Sequence, residues 1–490
     1  MDAFAEDEDS LDSHSLFGAG IASSAPRPSA VVLWTRLVRA PAQADGEVPD
    51  ATEVRWEISL EKDFKSNIAS GVVTTKAELA HSVHVLVEHL PTNRWLWYRF
   101  TARGEVSPTG RTRAFNADQS KPASRIQFAS VSCQHFKQGY FTGLRRAVEL
   151  GAEFILHLGD YIYTTEWGSV RNHSNPGEPT CIDDFRRRHL TYKQDSDLRF
   201  AQRNVPFFCV PDNHDAVVDR SANPQLRAAA YQAWYEHTPM LPRAGMVFDQ
   251  LDIFFTLRVG SLFELHVLDT RQFRAKQEIC IPVPELGFGQ YRIRCAEAFD
   301  EGRSMLGEVQ EQWLSNALAE CTATWTAVAS SVIFCPLTIR HDDADHFYVS
   351  GWDFYPQCRD RVMTWAKGHA PLVVLSGDLH SHLLSSYDDN ESARVVEFST
   401  TSLTSNWPSE LDQPIRESLP RNPHVRLYDS SRRGFILHTV TASDWRARYY
   451  SLLDVSKQTS RAVLMATASI TDVSSPSGPE TQRRLTLRMS

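Results

Sequence analysis

The chain has 490 residues, of which 42% are hydrophobic and 23% charged; 51 Lys and Arg against 60 Asp and Glu give a formal net charge of −9. This is the composition of a globular protein long enough for roughly two to four domains. The acidic balance and the lack of any Lys/Arg block argue against a nucleic-acid footprint, and no apolar run approaches the ~18–20 residues of a spanning helix.

Residues 1–16 are acidic and serine-rich and read as disordered. They lack the basic-then-apolar form of a secretory signal. From 17 to 117 the chain runs in short alternating stretches: VVLWTRL (31–37), EVRWEISL (53–60), HSVHVLVEHL (81–90) and RWLWYRFTARG (94–104). Trp95, Trp97 and Arg99 alternate with Leu96, Tyr98 and Phe100, a period of two. The expectation is an all-β sandwich of immunoglobulin or fibronectin type. The polar segment 116–124 is a linker.

The pattern then changes. RIQFASVS (125–132) reads as a strand, 139–153 as a helix with Phe141, Leu144 and Val148 on one face, and FILHLGD (154–160) as a strand, which together make a βαβ unit. Further buried strands are expected at 206–211, 262–268, 325–334 and 371–378, with helices at 226–237 and 306–320. In the latter helix Leu306, Val309, Trp313, Leu314, Ala317 and Leu318 form the apolar face. Residues 125–470 thus make a larger α/β domain, and 471–490 a polar tail.

The eight cysteines show no CxxC zinc pattern. Cys280 and Cys295 flank a polar, proline-containing segment and suggest a local disulfide, which would contribute about 3 kcal/mol in the chain-entropy model. Cys181, Cys209, Cys321, Cys335 and Cys358 are expected to be buried, inert thiols. His157 and His266, inside apolar strands, read as core histidines with a hydrogen-bond partner; His341 and His346, among carboxylates, read as part of an exposed charged loop.

Chemistry concentrates at strand ends. SVSCQHF supplies Cys133 and His135; LGDYIY supplies Asp160, Tyr161 and Tyr163; VPDNHD supplies Asp212, Asn213, His214 and Asp215; SGDLH supplies Asp378 and His380. Taken singly, Gly-Asp is a strand-ending turn, Asn-His-Asp a turn or N-cap, and Cys133 a buried thiol. Taken together, donor atoms at successive strand ends point to metal ligation, because carboxylates and a thiolate converging without cations would repel.

The order C-x-H, G-D, N-H-D, G-D-x-H resembles the calcineurin-like metallophosphatase series. SCQHF, HLGDYIY, DNHD and LSGDLH are most similar to the PhoD-like (alkaline phosphatase D) family. FGAGIASSAPRPSAVVLWTRL (17–37), WYRFTARGEVSPTGRTR (97–113), HVLDTRQFR (266–274), RSMLGEVQEQWL (303–314) and GWDFYP (351–356) extend the likeness from about residue 17 to 450. The resemblance implies an αββα metallophosphatase sandwich behind the β-domain. It also implies a centre of iron(III) with calcium, Mn2+ or Zn2+ being alternatives. Cys133 and Tyr163, with His380 beside them, match iron ligands; Asp160 matches the bridging carboxylate; Asn213 and Asp378 match calcium ligands; His214 matches the histidine facing substrate phosphate. Thiolate and phenolate suit a trivalent transition metal, and calcium prefers oxygen.

Three positions depart from the family pattern. His135 stands where the family often has Asn, which leaves a different metal open there. Pro211 replaces a usual Trp, and Asn213 a frequent Asp. The implied reaction is hydrolysis of small-molecule phosphate esters. A metal-bound hydroxide attacks phosphorus in line, with Asp160 holding the metals and His214 assisting the phosphate oxygen or the leaving group. A phosphodiesterase of phospholipase D kind is the alternative. A non-catalytic binding protein is disfavoured by the intact donor set. The family implies export to the periplasm or beyond by the twin-arginine route, as an expectation about a precursor. The sequence leaves oligomeric state open.

Overall fold

The computed structural model describes residues 15–38, 48, 50–116, 118, 123–216, 223–243, 245, 247–277, 279–282, 286, 290–369, 371–389, 392–474 and 481–490. The segment expected to be disordered, 1–16, lies almost wholly outside them. The N-terminal strands are β1 (Ile21–Ser24), β2 (Val31–Arg36), β3 (Glu53–Ser59), β4 (Asn67–Thr74), β5 (Ser82–Val87), β6 (Leu96–Ala102), β7 (Glu105–Val106) and β8 (Gly110–Thr112). They form two sheets, β1-β2-β5 and β4-β3-β6-β7, with β8 on β6. Alternation does the work: Leu96, Tyr98 and Phe100 are buried while Trp97 and Arg99 are only partly covered.

The α/β region follows in chain order: β9 (Arg125–Val131), α1 (Thr142–Glu149), β10 (Ile155–His157), α2 (Ile182–Lys193), α3 (Ser196–Asn204), β11 (Phe207–Cys209), α4 (Asn213–Ala216), α5 (Pro224–His237), β12 (Phe255–Val259), β13 (Phe263–Val267) and β14 (Tyr291–Arg292). It continues with α6 (Gly307–Glu320), β15 (Trp325–Ala329), β16 (Ile339–His341), β17 (Ala344–Tyr348), α7 (Pro356–Trp365), β18 (Leu372–Ser376), β19 (His382–Asp389), β20 (Ser392–Ser399) and α8 (Asp412–Ser418). The last strands are β21 (Val425–Asp429), β22 (Arg433–Thr441), β23 (Asp444–Leu452), β24 (Ala462–Ser474) and β25 (Thr481–Met489).

Two seven-stranded sheets organise this region, β11-β10-β9-β22-β23-β24-β25 and β12-β13-β15-β18-β20-β19-β21. Strands β9, β10 and β11 run parallel, as do β13, β15, β18 and β20. The sheets meet through Phe128, Phe263, Trp325, Phe398 and Trp445, whose rings touch at centroid distances of 5.4–6.4 Å. Period two assigns the faces. Trp325, Ala327, Ala329, Val373 and Leu375 belong to the core between the sheets, whereas Val328, Leu372 and Val374 pack outward with Leu314 and Leu318 of α6 and Val362 of α7. The N-terminal unit is tied to this body: Trp34 Nε1 donates to the Glu236 carbonyl at 3.2 Å, and His84 Nε2 lies 3.0 Å from the Tyr235 carbonyl.

Several expectations need correction. The polar tail at 471–490 is instead the end of β24 and the edge strand β25, paired from Ala466↔Met489 to Ser474↔Thr481. The signal was the alternation of Leu485 and Leu487, which pack on the core, with exposed Arg484, Thr486 and Arg488. On α6, Val309 is 78% exposed, and Gln310 turns inward because its amide bonds both the N–H and the carbonyl of Asp269, at 2.8 Å each. His341 and His346 lie on the β16–β17 hairpin, where pairing buries His346. Cys181 is exposed, since it caps the surface start of α2, and Cys209 is half-buried at the end of an edge strand. Among the described residues neither ring nitrogen of His157 has a hydrogen-bond partner, its ring being packed beside Tyr161 and Phe207. The disulfide Cys280–Cys295 is formed.

Candidate metal centre

The loops that leave β9, β10, β11 and β18 converge at the C-terminal ends of their strands, where open α/β sheets bind ligands. Backbone bonds lace the first two together: Cys133 N–H donates to Gly159 O and Gln134 N–H to Asp160 O, both at 3.0 Å. Gly159, at φ +100°, admits the third loop, since a Cβ there would lie 2.5 Å from Asp212 Cβ. Cys133 (φ 56°), Asp160 (53°), Asp378 (67°) and His380 (53°) all adopt the left-handed region. Each such non-glycine residue costs about 1 kcal/mol or more, and several held at one site mark a functional constraint.

Ligand atoms of Cys133, Asp160 and His380 all lie within 4.8 Å of one another. Tyr163 Oη is 3.2 Å from His380 Nε2. His380 Nδ1 bonds the Asn406 carbonyl at 2.8 Å, which makes Nδ1 the protonated nitrogen and leaves the Nε2 lone pair facing the cluster. The Tyr163 ring is stacked between His135 and His214, at 4.3 Å from each. His214 N–H donates to Asp160 Oδ1 at 3.3 Å. Trp167, 63% exposed, stands edge-on to His214 at the rim.

Beside this cluster, Asp212, Asn213 and Asp378 gather on the buried Arg271 guanidinium. It pairs closely with Asp212 Oδ1 and lies 3.3 Å from Asn213 Oδ1 and 3.7 Å from Asp378 Oδ1. Asp215 ties the loops together, Oδ1 accepting Ile162 N–H at 2.9 Å and Oδ2 accepting Asp212 N–H at 2.8 Å.

Burial and mutual repulsion dominate the electrostatics of the site, a strain that bound cations would relieve. Burial, then the Asp160 and Asp378 charges, pushes the Cys133 thiol well up; burial and the same Asp160 push the Tyr163 phenol up. Burial raises Asp212, with Arg271 opposing, and lifts Asp378 to about 6. His380 is lowered to about 4 by burial, so it is a neutral nitrogen donor at pH 7. Among the described residues, Asp212 Oδ2, Asp378 Oδ2 and His135 Nε2 are buried without a hydrogen-bond partner. The thiol, carboxylate, phenol and imidazole set fits a transition metal, and the orphaned carboxylate oxygens fit a hard cation that would share its place with Arg271.

Every predicted site residue, Cys133, Asp160, Tyr163, Asn213, His214, Asp378 and His380, is therefore in this one region. Asp212 and Asp215 stand among the strand-end donors in the sequence without an assigned role, and Arg271 does not stand out there at all. The DTR of HVLDTRQFR was the available signal: the Asp269 carboxylate accepts the Arg271 and Gln272 N–H groups at 2.9 and 3.0 Å and turns Arg271 inward.

The geometry has relatives. The family described as PhoD-like phosphatase matches residues 128–449, and its N-terminal domain matches 4–116. Alkaline phosphatase D of Bacillus subtilis (strain 168) is 32% identical over 464 residues, covering 88% of this chain and 77% of that protein. A solved structure of PhoD superposes with a TM-score of 0.84 at 30% identity, covering 94% of this chain and 91% of that one. A purple acid phosphatase from yellow lupin seeds shares the fold alone, with a TM-score of 0.53 at 9% identity over 92% of this chain and 73% of that one. A match that spans both the donor-bearing loops and most of the sheets they leave is a match of family, and the chain belongs to the PhoD-like phosphatases.

Proposed function

We propose that this phosphatase is a metal-dependent phosphoester hydrolase of alkaline phosphatase D type that works by in-line displacement at phosphorus. The observation that carries the reading is the convergence of Cys133, Asp160 and His380 within 4.8 Å, with Tyr163 on His380. These four side chains would hold the iron, Asp160 reaching toward a second ion held by Asn213 and Asp378. Calcium suits that oxygen set, and Mn2+ or Zn2+ remain the alternatives. When bound, the ions supply Lewis acidity that activates water and offsets charge on the phosphoryl oxygens.

The chain's own groups do the rest. His214 is half-exposed above the Tyr163 ring and so reaches the side from which substrate arrives. It donates to a phosphoryl oxygen or returns a proton to the leaving alcohol. Arg271 opposes the rise that burial imposes on Asp212 and Asp378 and holds both carboxylates in place. Asn406 fixes the tautomer of His380. The N-terminal unit, read as an immunoglobulin- or fibronectin-type module, braces α5. The Cys280–Cys295 disulfide supports an oxidising compartment, in line with periplasmic or secreted placement.

Purified protein assayed on an aryl phosphate and a bis-aryl phosphate, with and without chelator, tests the reading. Chelator-sensitive hydrolysis is expected, and the faster substrate separates monoesterase from diesterase. Failure to hydrolyse either with iron and calcium supplied would overturn it.

A further inference from the structure

A second set of donor atoms lies elsewhere in the molecule. Glu264 and His266 are i and i+2 on β13, so both point to the sheet's outer face, under α6. Cys321 is the residue at which α6 ends. The ligand atoms of these three residues lie within 4.8 Å of one another, and all three residues are buried. The catalytic loops leave the C-terminal ends of the parallel strands. Glu264, by contrast, is the second residue of β13 and registers with Thr326, the second of β15, so this cluster sits toward the opposite end of the sheet that contributes the β18 loop to the catalytic region.

The cluster is arranged like a ligand set. His266 is fully buried, and its Nδ1 bonds Thr256 Oγ1 at 3.0 Å, which orients the ring. Its Nε2 is 3.9 Å from Glu264 Oε1 and, among the described residues, has no hydrogen-bond partner. A buried imidazole nitrogen left unpaired is destabilising, and an ion would remove that cost. Arg258, from the edge strand β12, reaches both Glu264 oxygens at 3.1 Å and fixes the carboxylate plane. Thr326 Oγ1 lies 3.3 Å from Cys321 Sγ. Metal ligands are regularly oriented by such outer partners.

We propose that Glu264, His266 and Cys321 bind a zinc-class divalent ion that pins the C-terminal end of α6 to the sheet. Thiolate, imidazole and carboxylate together favour a borderline ion over calcium or magnesium, and three protein donors leave a fourth position for water. Binding forms bonds from the ion to the Cys321 thiolate, the His266 imidazole and the Glu264 carboxylate, displaces waters of the aqueous ion to solvent, and releases the thiol proton.

The test uses the full chain, equilibrated with zinc chloride and freed of excess. Wild type should retain about one zinc equivalent more than Cys321→Ser or His266→Ala. In crystals of the wild type, zinc-edge anomalous scattering should peak among the three side chains, a measurement that holds even if a variant fails to fold. Equal zinc content in wild type and folded variants, or anomalous peaks only at the catalytic loops or the surface, would overturn the proposal. Hydrolysis need not change in either variant, so failure here leaves the catalytic reading standing.

Discussion

Asp160→Asn should act in opposite directions on the metal-loaded and the metal-free protein. The carboxylate is buried beside Cys133 and His380, and its charge raises both the Cys133 thiol and the Asp378 carboxyl. Asn keeps an oxygen to accept the His214 N–H now given to Asp160 Oδ1. The substitution therefore removes charge with little change of shape. Without metal, one fewer like charge among buried carboxylates is worth a few kcal/mol at an effective dielectric of ~20, and the variant should be the more stable. With metal, the same substitution deletes a charged donor that the proposed centre would share between its two ions, and activity should fall by at least about 100-fold, roughly 2.7 kcal/mol of transition-state stabilisation. Thermal midpoints with and without chelator at pH 7.5, paired with hydrolysis of an aryl phosphate, read both effects. The reasoning is refuted if the midpoints shift the same way in both states, or if the variant keeps full activity.

Arg271→Met should destabilise the metal-free protein by roughly 3–5 kcal/mol, because Asp212 and Asp378 lose the cation buried between them. Added calcium should recover more stability in the variant than in the parent; equal recovery in a calcium titration of the melting midpoint contradicts the assignment. Burial lowers His84 and His382 to about 4 and His157 and His438 to about 3, so the unfolded chain binds more protons than the folded one below the ordinary histidine value of about 6.5. Stability should accordingly be complete above that pH and fall steeply toward pH 4, and a urea midpoint that stays flat from pH 7 to 4.5 would be inconsistent with it. Opening the Cys280–Cys295 bridge, which spans 15 residues, by paired Ser substitutions should cost about 3 kcal/mol; an unchanged denaturation midpoint would show that the loop is held by its other contacts.

The site was legible because its donors stand directly after strong apolar runs: Val131 precedes Ser132-Cys133, Leu158 precedes Gly159-Asp160, and Leu375 precedes Ser376-Gly377-Asp378. The parallel strands β9, β10, β11, β13, β15 and β18 read well for the same reason. Less legible was whatever depends on long-range partners. Arg271 looks like any charged loop residue until Asp212 and Asp378 arrive from segments 59 and 107 positions away (271 − 212 and 378 − 271). Gln310 displaces Val309 from the inner face only because the Asp269 backbone is there to bond it. The strand β25 reads as a tail because TQRRLTLRM is mostly polar, and an edge strand needs only alternate residues apolar. The His341–His346 segment reads as an exposed loop by its charge, yet pairing across a two-residue turn at Asp342 and Asp343 buries His346. The helices α2, α3 and α7, which carry many charged residues, were passed over for the same cause.

X-ray absorption at the iron edge of the purified holoenzyme tests the central claim most directly. The account predicts iron with one sulfur neighbour among lighter donors, the sulfur contribution vanishing in Cys133→Ser. An iron environment of nitrogen and oxygen alone in the parent protein, or one unchanged in Cys133→Ser, would contradict it.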